Sequence, residues 1–265
     1  LPSNEVCLQL NLDIPLITNV TIEETSANGR ILIKWVKPRT MDFDTIQNPG
    51  PYTYTLKRGI GFNPAAYTNI PNANFTSLNF LDPVDTSFTD IEINTIISPY
   101  TYIVDFFAGQ GGSLYGSSTS ASSVFLNVDG SDKKTILTWN ELVPWSNNSF
   151  TIYRLNSIGI FDSIGTTQAR VYEDKNLENG EEYCYKVRTS GTYGIAGLPT
   201  PLFNFSQERC AIRIDTVPPC APALVITNDC LNANSNEVIL NNLSWNNPDL
   251  LCDTPGDTKG YRVYV

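Results

Sequence analysis

The side chains of this chain that could do chemistry are six cysteines and 27 carboxylates, and there is no histidine. That last fact removes Ser-His-Asp and Cys-His nucleophile systems and any zinc site built on imidazole. The cysteines are Cys7, Cys184, Cys210, Cys220, Cys230 and Cys252, and none forms a CxxC pair, so a zinc ribbon or a thioredoxin-type centre is a poor fit. Carboxylates gather at Glu178, Glu181 and Glu182, but they flank a predicted turn, and solvation accounts for them better than acid/base work. Asp129 and Asp132 in VDGSDKK, and Asp249, Asp253 and Asp257 in PDLLCDTPGD, offer oxygens that calcium could use. Neither stretch has the regular alternation and closing Glu of an EF-hand loop. The sequence therefore predicts no catalytic residue, no metal site and no cofactor.

What the cysteines can do depends on the strand that holds them. In EEYCYKVR, Tyr183, Tyr185 and Val187 fall on one face, and Cys184, Lys186 and Arg188 on the other. A hairpin with PLFNFSQERCAIRI that sets Cys184 opposite Cys210 also sets Lys186 opposite Glu208, and it places Phe203 and Phe205 on the core-facing parity. The two sulfurs are then cross-strand neighbours within disulfide reach. Such a bond implies an oxidising compartment; the alternative is six buried, reduced thiols.

Stepping outward from that hairpin, three segments end in tryptophan after an alternating run: ILIKW at Trp35, TILTW at Trp139 and NNLSW at Trp245, with spacings of 104 and 106 residues. Each is followed by turn residues and a second strand, PYTYTLKR, SFTIYRL and GYRVYV. Two of the three continue to a tyrosine-rich strand, PYTYIVDFF and EEYCYKVR. This period is too long for a solenoid and fits a whole β-sandwich of about 100 residues. No stretch sustains a helical apolar period, and Pro or Gly interrupts most windows.

Leu177-x-x-Gly180-x-x-Tyr183 before an alternating strand resembles the tyrosine corner of fibronectin type III domains, in which the Tyr hydroxyl bonds back to upstream backbone. The tryptophan followed closely by proline, in VKP and NNP, is similar to the same family. The resemblance implies an all-β fold of tandem fibronectin type III or immunoglobulin-like sandwiches. It divides the chain into residues 1–14, the last strand of an upstream sandwich, two complete sandwiches at 15–122 and 123–216, and the first part of another at 217–265. SSTSASS (Ser117–Ser123) and VPPCAP (Val217–Pro222) then read as linkers. In such a fold Cys220 and Cys252 share one end of a sandwich, which implies a Cys220–Cys252 bond. Cys7, in NEVCLQL, which resembles QERCAIR around Cys210, is expected to pair with a cysteine of the upstream sandwich, and Cys230 pairs beyond the chain or stays free.

The net charge of −10, with no Lys/Arg patch, argues against nucleic acid. No apolar run approaches the roughly 18–20 residues that span a bilayer, and no signal peptide is visible, so the chain reads as an interior piece of something longer. Trp145, Phe161 and Tyr193 fall in predicted loops, where they either stack on a partner or plug a sandwich end. N-x-S/T sequons occur at Asn19, Asn74, Asn147, Asn204 and Asn242. Asp-Ser/Thr-apolar triplets at Asp44, Asp162 and Asp215 resemble O-glycosylation triplets of Bacteroidota surface proteins. Together with the DTVPPCAP linker, the tandem units are similar to Bacteroidota proteins with a gliding-motility-associated C-terminal domain, exported by the type IX secretion system. That likeness implies a non-catalytic extracellular stalk or adhesion module with a protein or surface-glycan ligand, or outer-membrane secretion or motility proteins, as partner. The alternatives are accessory domains of a secreted hydrolase and a component docked on the secretion machinery.

Overall fold

The computed structural model describes residues 11–109, 111–214, 220–228, 241–250 and 258–264. Cys7, Cys230, Cys252, Asp215, Asp253, Asp257 and the first half of the VPPCAP stretch lie outside them. The chain divides into a compact unit Leu1–Arg213 and a second unit Ile214–Val265.

The first unit is all-β. Strands β1 (Leu16–Glu24), β2 (Gly29–Val36) and β5 (Ser87–Ile93) form a three-stranded sheet in the order β1-β2-β5. Strands β3 (Tyr52–Ile60), β4 (Thr68–Ser77), β6 (Tyr100–Ala108) and β7 (Ser113–Ser117), with the short β8 (Ala121–Ser122), form a five-stranded one in the order β4-β3-β6-β7, with β8 also pairing β6. The same scheme then repeats. Strands β9 (Phe125–Ser131), β10 (Lys134–Asn140) and β13 (Val171–Lys175) make a three-stranded sheet in the order β13-β10-β9. Strands β11 (Ser146–Leu155), β12 (Phe161–Thr167), β14 (Glu182–Thr192), β15 (Leu202–Phe205) and β16 (Arg209–Ile212) make a five-stranded one.

The period-2 pattern of the sequence is what buries one face of each strand. In β2, Ile31, Ile33 and Trp35 point inward while Arg30 and Lys34 face solvent. In β10 the inward set is Thr135, Leu137 and Trp139. Trp35 and Trp139 are fully enclosed and meet Phe75 and Phe150 with ring centroids 5.3 and 5.2 Å apart. Each such side chain removed from water contributes on the order of 2 kcal/mol.

Ser117–Ser123 is not a spacer. It contributes the end of β7 and all of β8, and Ser118, Ser122 and Ser123 are buried. The hydroxyls do the work that keeps a polar run inside: Ser118 Oγ accepts from Val104 N at 2.9 Å, Ser122 Oγ from Leu142 N at 2.7 Å and Ser123 Oγ from Tyr100 N at 3.2 Å. Each satisfies a backbone donor that burial would otherwise strand.

The two sandwiches meet along β1. Asn19 Nδ2 donates to Phe203 O at 2.8 Å, Val20 N to Asn204 Oδ1 at 2.7 Å, Phe205 N to Thr21 Oγ1 at 2.8 Å and Glu208 N to Thr25 Oγ1 at 2.8 Å. Trp145 is buried and, with Leu202, joins the apolar cluster of the first sandwich. Its neighbour Tyr193 donates to Ile17 O at 2.6 Å. Side-chain amides and hydroxyls thus cover two sheet edges without a backbone ladder, which also blocks their pairing with another chain.

In the second unit, β17 (Leu224–Asn228) pairs antiparallel with β18 (Asn241–Trp245) in full register, followed by one short helical turn at Pro248–Leu250. Trp245 packs on Tyr261 at 5.2 Å and remains 38% exposed.

Candidate functional site

Strand β14 carries the residues singled out by the sequence. Its partner β16 sets Cys184 opposite Cys210, and the two form a disulfide with Cα atoms 3.9 Å apart. Lys186 lies 3.7 Å from Glu208, the charge pair expected from that register. Glu182 and the two sulfurs form a tight group, but a disulfide leaves no thiolate for a metal. Cys220 is also disulfide-bonded.

The expected inward parity of Phe203 and Phe205 is overturned. Tyr185 pairs with Arg209 while Arg188 pairs with Phe205, so one extra residue is accommodated between β15 and β16. Ser206 makes this bulge: its N donates to Val187 O at 2.8 Å and its Oγ accepts from Val187 N at 2.9 Å. The slip turns Leu202 and Asn204 inward and leaves Phe203 41% exposed. Gln207, also buried, closes the gap by pairing its amide with both backbone groups of Leu126, at 3.0 and 2.9 Å.

At the corner, Leu177 is buried and its N donates to Lys133 O at 3.0 Å. Gly180 has φ +85° and donates its N–H to Arg213 O at 3.0 Å, a backbone geometry that favours glycine. Tyr183 differs from the expectation. Its ring lies 3.6 Å beneath the buried Arg213 guanidinium, and its hydroxyl bonds no backbone group among the described residues. The hydroxyl that does make a bond is two residues on: Tyr185 donates to Asp174 Oδ2 at 3.0 Å.

That bond belongs to a constellation the sequence reading missed. Arg154 Nη1 donates to Asp174 Oδ2 at 2.8 Å, and Arg154 is the cross-strand partner of Tyr185. In the first sandwich Arg58 Nη1 donates to both oxygens of Asp90 at 2.8 and 2.9 Å, Tyr102 donates to Asp90 Oδ2 at 2.9 Å, and Arg58 is the partner of Tyr102. In both cases the Asp comes from the three-stranded sheet and the other two residues from the five-stranded one. The triad pins sheet to sheet. Burial, then the Asp90 charge and hydrogen bond, push the Tyr102 phenol well above its usual value, and burial does the same to Tyr185. A phenol held protonated inside a core is a strut. The available signal was the Tyr-x-Tyr of PYTYIVDFF and EEYCYKVR combined with the Arg ending LKR and IYR.

The remaining candidates separate in space. Glu178, Glu181 and Glu182 are exposed at the corner. Asp129 is exposed, Asp132 accepts from Asn179 at 2.8 Å, and Asp249 accepts from Thr258 N at 3.3 Å. Asn19 and Asn204 are engaged in the seam, and the Asn147 amide lies between Trp145 and Glu141, whereas Asn74 and Asn242 are exposed. A cleft of about 490 Å³ opens at the end of the first sandwich, with Tyr52 as the one ionisable side chain in its lining, and that hydroxyl donates to Asn48 O at 3.0 Å.

The outer face of the second five-stranded sheet carries cations set among rings. Lys186 Nζ lies 4.5 Å from the Phe161 ring centroid. The Arg188 guanidinium lies 4.6 Å from Phe203 and 5.7 Å from Tyr153, and Tyr153 meets Phe205 at 5.9 Å. Cation and ring alternate across the strands, each contact contributing about 0.5–1 kcal/mol.

No family model and no curated protein matches the chain. Among solved structures, the chicken interferon gamma receptor alpha chain aligns over 76% of this chain and 100% of its own, at 12% identity and a TM-score of 0.25. No helix among the described residues is long and apolar enough to cross a membrane.

Proposed function

We propose that this chain is a non-catalytic binding or stalk module of a secreted protein held at the cell surface. The observation that carries the reading is where the reactive groups have gone. Asp90, Asp174, Tyr102 and Tyr185 are spent in the two Arg–Asp–Tyr pins, the buried Asp105 is paired with Lys57, and the sulfurs of Cys184 and Cys210 are joined to each other. What is left is two sandwiches locked along β1, able to hold a surface in a fixed orientation.

Within that class, the likeness of the sequence to Bacteroidota type IX secretion substrates supports a role in adhesion or gliding motility. The division at 1–14, 15–122, 123–216 and 217–265, and a Cys220–Cys252 bond, belong to the same proposal. Antibody raised against this chain and applied to intact cells of the source organism tests it. Labelling without permeabilisation is expected; labelling only after permeabilisation overturns the surface reading. Polysaccharide hydrolysis by the native full-length protein would move the chain to the accessory-domain reading.

A further inference from the structure

The two sandwiches share register, so each outward residue on one has a counterpart on the other. The Cys184–Cys210 pair stands where Thr101 faces Ser122, and the bulge at Ser206 stands where Ser118 bonds Val104. Counting along β6 and β14 from these anchors, Asp105 corresponds to Arg188 and Ile103 to Lys186. The first sandwich closes its outer face with its own groups. Asp105 pairs with Lys57 and accepts from Ser117 Oγ at 2.6 Å, and Thr53 bonds Thr76 at 2.9 Å.

The second sandwich leaves its face unfinished. Arg188 has no carboxylate partner among the described residues, and its Nε is shut away from water without an acceptor. Its guanidinium lies near the rings of Phe203 and Tyr153, and the residue as a whole is half-buried. The fold does not need those rings, because the first sandwich stands without them. An unpaired guanidinium, oriented by aromatic rings on a chain of net charge −10, attracts an anionic partner to this face while the rest of the surface repels it. Arg and aromatic residues together are the composition of protein-binding hot spots.

We propose that the outer face of β11, β14 and β15 docks an acidic polypeptide segment. Arg188 receives a carboxylate in a charge-assisted pair, and an apolar side chain beside that acid rests on Phe203 and Phe205. The proposal rests on the binding-module reading above. Selection of a random peptide library on the whole folded chain, followed by anisotropy titration of the selected peptides, tests it. Peptides carrying Asp or Glu next to an apolar residue are expected. Arg188→Ala and Phe203→Ala should each weaken binding at least about tenfold, Arg188→Lys by less, and Lys57→Ala on the first sandwich not at all. If Arg188→Ala fails to fold by circular dichroism, Arg188→Gln takes its place. Selected peptides indifferent to Arg188 overturn this face and leave the binding-module reading standing. Binding of oligogalacturonate through Arg188, with no peptide selected, overturns the polypeptide partner. Silence from both probes overturns the face and leaves the stalk reading standing.

Discussion

Arg58, Asp90 and Tyr102 of the first sandwich and Arg154, Asp174 and Tyr185 of the second occupy matching positions, while the outward residues of the same strands share almost nothing. Inward, two sheets at fixed spacing leave room for one solution, and a buried polar group must find its partner there. Outward, no packing constraint applies. The first face closed on Lys57–Asp105, and the second took cations, rings and a disulfide. Where two repeats agree, the fold is speaking; where they diverge, function has the freedom to act.

That contrast can be broken at its strongest point first. Asp90→Ala leaves the buried Tyr102 hydroxyl and the partly exposed Arg58 guanidinium without their partner and should cost about 3 kcal/mol in urea denaturation. Asp174→Ala should cost less, because the Asp174 side chain is 11% exposed against 3% for Asp90. Equal losses would mean that the pins do not differ as their burial says. Replacing Cys184 and Cys210 together by serine should cost about 3 kcal/mol, with faster amide exchange at β14–β16 and no change in β6–β8.

The pins also set an alkaline limit. With the folded Tyr102 and Tyr185 phenols raised above an unfolded value of about 10, their contribution is fully present below that pH. It is lost as pH rises further, since only the unfolded chain then releases these protons. Tyrosinate absorbance should therefore lag in the native protein and jump on unfolding, and Tyr102→Phe should make the alkaline loss of stability shallower. Asn204→Ala, which removes the acceptor for Val20 N in the seam, should cost about 1–2 kcal/mol by thermal melting. Smallest of all, Lys186→Ala should change stability by less than about 1 kcal/mol, because its 3.7 Å pair with Glu208 is solvent-facing.

Much of the fold could be read from pattern, because strand periodicity is local. Alternation in ILIKW and TILTW placed both tryptophans in cores, and charge matching placed Cys184 against Cys210. The same alternation failed four residues further on. A bulge inserts one residue, and parity carries no warning of it, so Phe203 emerged on the outer face instead of the inner one. SSTSASS looked like a linker because serine is polar; its hydroxyls instead satisfy buried backbone donors, which only the neighbouring strands reveal.

The sequence by itself determined the class of fold, the repeat, the disulfide of β14 and β16, and the absence of histidine chemistry. These depend on residue type and on spacings within a strand or a hairpin. Tertiary structure alone decided the Arg–Asp–Tyr pins, the seam along β1 and the open cation–ring face. The pins join residues from strands whose connecting loops differ in length between the repeats, and the seam and the face join strands far apart in sequence, so no fixed spacing announces them. The closing of two sheets assembles the pins, the meeting of two sandwiches the seam, and the strand order of one sheet the cation–ring face.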